Sequence, residues 1–441
     1  MDVVPPTRPA AAVGILYEPA GAFAESPRPA TPARPAALRG ALDAPIKVID
    51  VELAHGLTDI DGCAGYIAVH ALVRRRGHPI GWLTIAEPDA ACVPAERVRE
   101  AIATQLGPAL VTPFLAERIG TKPAVALPPV SIVVCTRDRT EEMEGCLGAL
   151  AALDYPEHEV IVVDNAPRTD ETARLVAEYP GVRYVREGRP GLDWARNRGI
   201  TEARHDIIAF TDDDARADVG WLRGIARAFA DPSVGAVTGH VAPAELETEA
   251  QQIFELVYGG MGKGKQARHF RGDTMRAFSL VGAHHMGVGA NMAFRRSVLE
   301  AAGGFDTALD VGTPSHGGGD LDMFHRVVAA GTTLRYEPSA LVWHRHRQDM
   351  AGLRRQLRDN GRAFGVFLLT IWYRRQIPRH KTAQYAVRVW ARWLVERPIK
   401  RLLGREAMPM SLLLAELRGA LDAPHAYRET YRRDREIKGR G

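Results

Sequence analysis

The run Ile207-Ile208-Ala209-Phe210, passing directly into Thr211-Asp212-Asp213-Asp214, constrains this chain more than any other segment. The apolar residues read as a buried strand, and three carboxylates at its end repel one another at neutral pH unless a divalent cation or solvent compensates them. Asp212 and Asp214 are two apart, so an extended backbone turns both to one side, where oxygen ligands suit Mg²⁺ or Mn²⁺. The same residues also suit an acidic turn that caps a helix starting near Gly220.

The chain of 441 residues is long enough for two to three domains, and 46% hydrophobic with 25% charged residues excludes a wholly disordered chain and an integral membrane bundle. Cys63, Cys92, Cys135 and Cys146 are far apart, without C-x-x-C spacing. This argues against a zinc ribbon or a disulfide scaffold and leads us to expect a reducing, cytoplasmic setting. The N-terminus shows no secretory signal pattern, and no apolar run approaches bilayer-spanning length. Net charge is +4, yet residues 351–441 carry 21 Lys or Arg against 8 Asp or Glu, which leaves the remainder at −9. Such a tail suits an anionic partner such as lipid headgroups at the inner face of a membrane, nucleic acid or a phosphorylated acceptor, or simply a solvated Arg-rich helical surface.

Nine of the 29 prolines fall in the first 45 residues, so residues 1–44 are expected to form a disordered leader. Residues 45–122 read as a small β-rich domain. Ile46 and Val48 alternate on one parity and Val51 and Leu53 on the other, which predicts a strand with an irregularity near Asp50. Tyr66–Val73 and Ile80–Ile85 predict a hairpin, followed by a helix from Pro94 to Leu106. After Pro123 and Pro128-Pro129, strands and helices alternate. The strands are Val130–Cys135, Val160–Val163, Arg183–Val185 and Ile207–Phe210, separated by helices Glu141–Leu153, Glu171–Tyr179 and Leu192–Thr201. This is an α/β nucleotide-binding layout, in which ligands collect at the carboxyl ends of the strands. Residues 348–441 read as a basic helical region that packs on the catalytic domain, lies on a membrane surface or forms a dimer face.

Three strands end in polar residues that suit a nucleotide: Thr136-Arg137-Asp138-Arg139, Asp164-Asn165 and the acidic run. With Gly191–Gly199 and Gly317-Gly318-Gly319-Asp320-Leu321-Asp322, their order and spacing resemble the family 2 glycosyltransferases of GT-A fold, over about Val130 to His346. The resemblance implies an inverting, metal-dependent transfer of a sugar from a nucleotide-diphosphate sugar to a hydroxyl of a saccharide, lipid-linked or small-molecule acceptor; nucleic acid is not an expected partner. It assigns Thr136, Asp138 and Asp164 to the nucleoside, Arg196 and Asn197 to the donor or metal site, and Arg189 to phosphate. The acidic run matches the D-x-D element: Asp214 as direct metal ligand, Asp212 toward the ribose or a metal-bound water, and Asp213 beside the donor. Asp320 is implied as the general base, with Asp322 either standing in for it or sitting in a helix first turn that favours an anion. His344 is implied as a further metal ligand.

Gly287–Phe294 predicts a strand, followed by a helix from Arg296 to Ala302 on the acceptor side. Gly259–Gly264 predicts a mobile lid. The common pattern has Glu before the base, whereas this chain has Gly319, a departure that leaves the base in place and bears on the acceptor contacts. Two rivals remain: a metal-dependent phosphohydrolase using the same ligands to activate water, and a binding protein that retains the fold and the nucleotide sugar without turnover.

Overall fold

The computed structural model describes residues 44–86, 91–119, 127–397, 399 and 408–439; the proposed leader at 1–44 lies almost wholly outside them. Fourteen strands are present among the described residues. Five precede the central sheet: β1 (Ile46–Glu52), β2 (Ile60–Asp61), β3 (Ala68–Arg75), β4 (His78–Ala86) and β5 (Cys92–Val93). Then come β6 (Val130–Thr136), β7 (His158–Asn165), β8 (Val182–Glu187), β9 (Ile207–Asp212), β10 (Ala215–Ala217), β11 (Val234–Pro243), β12 (Arg268–Phe270), β13 (Asn291–Arg295) and β14 (Thr333–His344).

The last nine form one mixed sheet in the order β10-β14-β11-β13-β9-β6-β7-β8, with β12 on β14. Strands β9, β6, β7 and β8 run parallel, whereas β13 is antiparallel to both its neighbours. The period of two within each apolar run divides its side chains between two cores. Val130, Ile132, Val134, Val160, Val162, Ile207 and Ala209 face Met143, Leu147, Trp221 and Ile225. Val133, Ile161, Val163, Ile208 and Phe210 face Met323, Phe324, Phe367 and Ile371. Each such aliphatic side chain contributes roughly 1.5–3 kcal/mol when fully buried. Helices cover both faces, so the parallel strands end together on one edge.

Strand β13 begins at Asn291, not at Gly287 as the sequence pattern predicts. A Cβ on Gly287 would lie 2.4 Å from the Thr238 side chain, and the Gly289 N–H donates to the Asp320 carboxylate instead of joining a ladder. Close approach therefore shapes Gly287–Ala290 as a loop. Where β14 is bulged against β11 between Gly239 and His240, the Asn291 amide donates to the carbonyls of His240 and Ala340 and accepts from the Trp221 indole. One side chain thus satisfies the backbone groups freed by the bulge.

The sheet β1-β3-β4 is sandwiched. Ile49 and Val51 face the core against the helix Ala95–Ile119, while Ile46 and Val48 pack with Leu246 and Leu256 of the larger unit. Residues of both parities meet apolar neighbours, so the shift read near Asp50 is not an irregularity: β1 pairs residue for residue with β3. Leu72 and Trp82 pack with Leu341 and Trp343, and Arg74 joins Asp50 to Asp218 across the junction. The helix expected to stop at Leu106 continues to Ile119 because Leu110 extends its apolar face against the same core.

In the basic tail, helix Met350–Arg374 contributes Phe367 and Ile371 to the central core. It crosses helix Met410–Lys438 so closely that a Cβ on Gly419 would lie 1.8 Å from the Arg358 carbonyl. Many tail charges are paired internally, including Arg374 with Asp306 and Asp322, Arg397 with Glu416 and Lys438 with Asp434. No described helix is long and apolar enough to cross a membrane.

Candidate active site

At the carboxyl edge of the sheet, β9 ends at Asp212 and the chain turns through Asp213 and Asp214 into β10. Strand β10 pairs with the end of β14 so that Ala215 lies opposite His344. This register brings the imidazole to the acidic turn, where His344 Nε2 lies 3.1 Å from Asp214 Oδ1. Donor atoms of Asp212, Asp214 and His344 all lie within 4.8 Å of one another. Two carboxylate oxygens and one imidazole nitrogen are a donor set that fits Mg²⁺ or, better, Mn²⁺.

The central carboxylate faces elsewhere. Thr136, at the end of β6, donates through Oγ1 to Asp213 Oδ2 at 2.7 Å, and Arg139 reaches Asp213 Oδ1 at 2.5 Å and Asp214 Oδ2 at 2.8 Å. Burial followed by Asp214 pushes the Asp212 carboxyl up to about 6, and burial pushes Asp213 up to about 7. Burial also works against an ionised Asp214, but His344 and Arg139 overcome it and hold this carboxyl well below the usual range. For His344, burial favours the neutral ring and Asp214 more than reverses that, raising its pKa.

A second acidic group lies across Arg196. Its guanidinium donates to Asp193 Oδ1 at 2.8 Å and Asp310 Oδ2 at 2.6 Å. Burial opposes its charge, yet Asp310, Asp193, Asp212 and Asp320 together keep it firmly protonated, so Arg196 links the two acidic groups. Asp320 opens helix Gly319–Ala329 and accepts from the Gly289 and Leu321 amides, each at 2.8 Å. Burial and then Asp310 raise its pKa, in the direction that suits a group accepting a proton. The glycine at 319 has a steric cause: a Cβ there would lie 2.0 Å from Asp193 Oδ2 and 2.7 Å from Asp310 Oδ2.

Asp164 is fully buried at the end of β7, accepts from the Tyr184 hydroxyl at 3.0 Å, and leaves Oδ1 without a partner. Burial and then the nearby Asp138 raise its pKa, while Tyr184 lowers it. Asp138 is held by the Arg168 amide and guanidinium at 3.0 and 2.7 Å. Arg189 pairs with Glu187 at 2.8 Å and lies over the Trp194 ring.

Two of the expected site residues are engaged elsewhere. Asn197 exchanges hydrogen bonds with the backbone of Phe305 at 2.9 and 2.8 Å, and Asp322 is buried between Arg326 and Arg374 at 2.7 and 2.6 Å. Their motif spacing points to the site, but their hydrogen bonds hold the fold together. Sequence reading passed over Arg139, Asp193 and Asp310. Arg139 stood within a quoted strand end, whereas Asp310 reaches the site only through a loop pinned by Thr307 to Asp434 and by Arg433 to the Gly312 carbonyl, both at 2.6 Å.

Residues 131–303 match the family model described as glycosyl transferase family 2. Over 223 residues the chain is 26% identical to the pre-mycofactocin glycosyltransferase of Mycobacterium tuberculosis, covering 50% of this chain and 43% of that protein. It is also 26% identical to glycosyltransferase AglE of Haloferax volcanii, covering 55% of this chain and 75% of the relative. With poly-beta-1,6-N-acetyl-D-glucosamine synthase of Staphylococcus epidermidis it shares 25% identity over 52% of each. The chain thus spans less than half of the first of these relatives. A mannosyltransferase structure from Pyrobaculum calidifontis, in complex with GDP-Man and Mn²⁺, overlays with a TM-score of 0.46 at 19% identity, covering 73% of this chain and 96% of that one.

The raised acids give a signed expectation. A carboxyl with a folded pKa above its unfolded value contributes stability that is full below about pH 4 and lost as pH rises through the folded value. Without divalent cations, Asp212→Asn should therefore stabilise the protein by about 1–3 kcal/mol above pH 7, with the gain shrinking toward pH 4. Denaturant melts at several pH values measure this. The family match and the strand-end site point the same way: residues 131–303 are similar to glycosyl transferase family 2.

Proposed function

We propose that this protein is an inverting glycosyltransferase that moves a sugar from a nucleoside-diphosphate sugar to an acceptor hydroxyl. The observation that carries the reading is the grouping of Asp212, Asp214 and His344 at the strand edge, with Asp320 across Arg196. A divalent cation held by Asp214 and His344, with Asp212 beside it, would supply charge neutralisation for the departing diphosphate.

The residues divide the remaining work. Asp164 Oδ1 is a buried acceptor without a donor, which suits N–H or O–H groups of the nucleoside; Asp138 and Thr136 lie on the same side as further nucleoside contacts. Arg189, half-exposed beside Trp194, is our candidate for phosphate contact. Arg196 keeps the two acidic groups at fixed separation. Asp320 takes the proton of the acceptor hydroxyl as its oxygen bonds to the anomeric carbon. The bond from that carbon to the diphosphate breaks on the opposite face, and its electron pair leaves with the diphosphate, so the configuration inverts.

The phosphohydrolase alternative has less support, because a second set of metal-bridging ligands is absent among the described residues and Asp213 is committed to Thr136 and Arg139. Asp320→Asn should lower kcat by about 10²–10⁴-fold while the protein still binds nucleoside diphosphate. NMR of the product should show an inverted anomeric centre. Full turnover in the variant, or retained configuration, contradicts the assignment.

We also infer a peripheral contact with anionic lipid through the tail. Val387, Leu394, Val395 and Ile399 stand exposed within an Arg-rich stretch, an arrangement that suits a charged membrane surface. Co-sedimentation with phosphatidylglycerol vesicles should fall when Val387, Leu394 and Val395 are replaced by Asp; no sedimentation of the wild type at moderate salt contradicts the contact.

A further inference from the structure

The His344 imidazole has a second face. Its Nδ1 lies 3.3 Å from Nδ1 of His346, and His346 Nε2 lies 3.0 Å from Glu255 Oε2. Four side chains, Asp214, His344, His346 and Glu255, therefore form one hydrogen-bonded line from the acidic turn into the interior. His346 is buried and clamped: the Phe254 ring meets it edge-on at 4.8 Å, and the Gln251 amide donates to its carbonyl at 3.3 Å.

Resting on the reading given above, we propose that Glu255 and His346 are positioning residues that set the His344 tautomer for the cation. A carboxylate only accepts, so the proton of neutral His346 sits on Nε2, directed at Glu255. Its Nδ1 then carries a lone pair and accepts Nδ1–H of His344. The remaining nitrogen of His344, Nε2, lies 3.1 Å from Asp214 Oδ1 and donates its proton there; a cation seated beside Asp212 and Asp214 would displace that proton and meet the Nε2 lone pair. A ligating imidazole whose other N–H is engaged in this way is fixed in orientation and more basic, and loss of such a partner weakens metal binding by about 10–100-fold.

The local backbone serves the same end. Glu255 lies in the π-helical turn Ile253–Tyr258, which is closed by Gly259 and Gly260 at φ +108° and +56°. A Cβ on Gly260 would lie 2.1 Å from Glu255 Oε2, so the glycine segment rests directly on the carboxylate. The wide turn directs Glu255 inward and the glycines leave room for it. The Gly259–Gly264 segment, which the sequence suggested as a lid, thus has its first glycines packed against the line that ends at His344.

Titration of Mn²⁺ into the full-length protein, with free Mn²⁺ followed by electron paramagnetic resonance, tests this without any turnover. Glu255→Leu should weaken Mn²⁺ binding about 10–100-fold. In a His344→Asn background the same substitution should change nothing further, since its effect runs through His344. His346→Leu should reproduce both results, which guards against a folding defect peculiar to position 255. Unchanged affinity in the single variants, or equal losses in both backgrounds, overturns the proposal. Absence of Mn²⁺ binding in the wild type would instead overturn the underlying metal-site reading, and this proposal with it.

Discussion

The carboxylate of Asp214 is the point on which the rest of the site depends. One of its oxygens is 2.8 Å from Arg139 and the other 3.1 Å from His344. Those partners come from the turn after β6 and from the end of β14, so this single group joins the parallel half of the sheet to its mixed half. The compensation is unequal along the acidic turn. Asp213 has Thr136 and Arg139 as partners and burial still pushes it up to about 7, while burial and Asp214 push Asp212 up to about 6. An ionised group left buried without a full partner is costly, and a divalent cation between Asp212, Asp214 and His344 would remove that cost. Stability given up at the strand edge would thus become affinity for a cation.

Arg196 extends the same logic to the other side of the site. It is buried among Asp193 and Asp310, and the first of these leaves an oxygen without a hydrogen-bond partner. The loop that supplies Asp310 is held by helix Met410–Lys438, through Asp434 and Arg433. The basic tail is therefore part of the framework of the site. Its exposed apolar residues include Val387 and Leu394 on a separate stretch and Leu414 and Leu421 on that same helix.

Much of this was legible in the sequence because strand ends are local. Apolar runs followed at once by Thr136, Asp164 and Asp212–Asp214 announce both the sheet and the edge on which ligands collect, and the pairing of β10 with β14 delivers His344 to that edge. What could not be read depends on packing between distant segments. Asp193, Asp310, Glu255 and His346 acquire meaning only from neighbours up to 114 positions away. Packing bears on motif positions too: the side chains of Asn197 and Asp322 are taken up by the Phe305 backbone and by Arg326 and Arg374. Gly319, read as a departure, follows from the carboxylates of Asp193 and Asp310 that occupy the space a side chain would need.

An anomalous difference map from crystals grown with Mn²⁺ and a nucleoside diphosphate would probe the strand-edge site directly. A Mn²⁺ peak is expected within coordination distance of Asp214 and His344, with Asp212 beside it and the diphosphate on its open side. A peak bound elsewhere, or a diphosphate seated at the strand edge with no metal between it and Asp214, would contradict that placement.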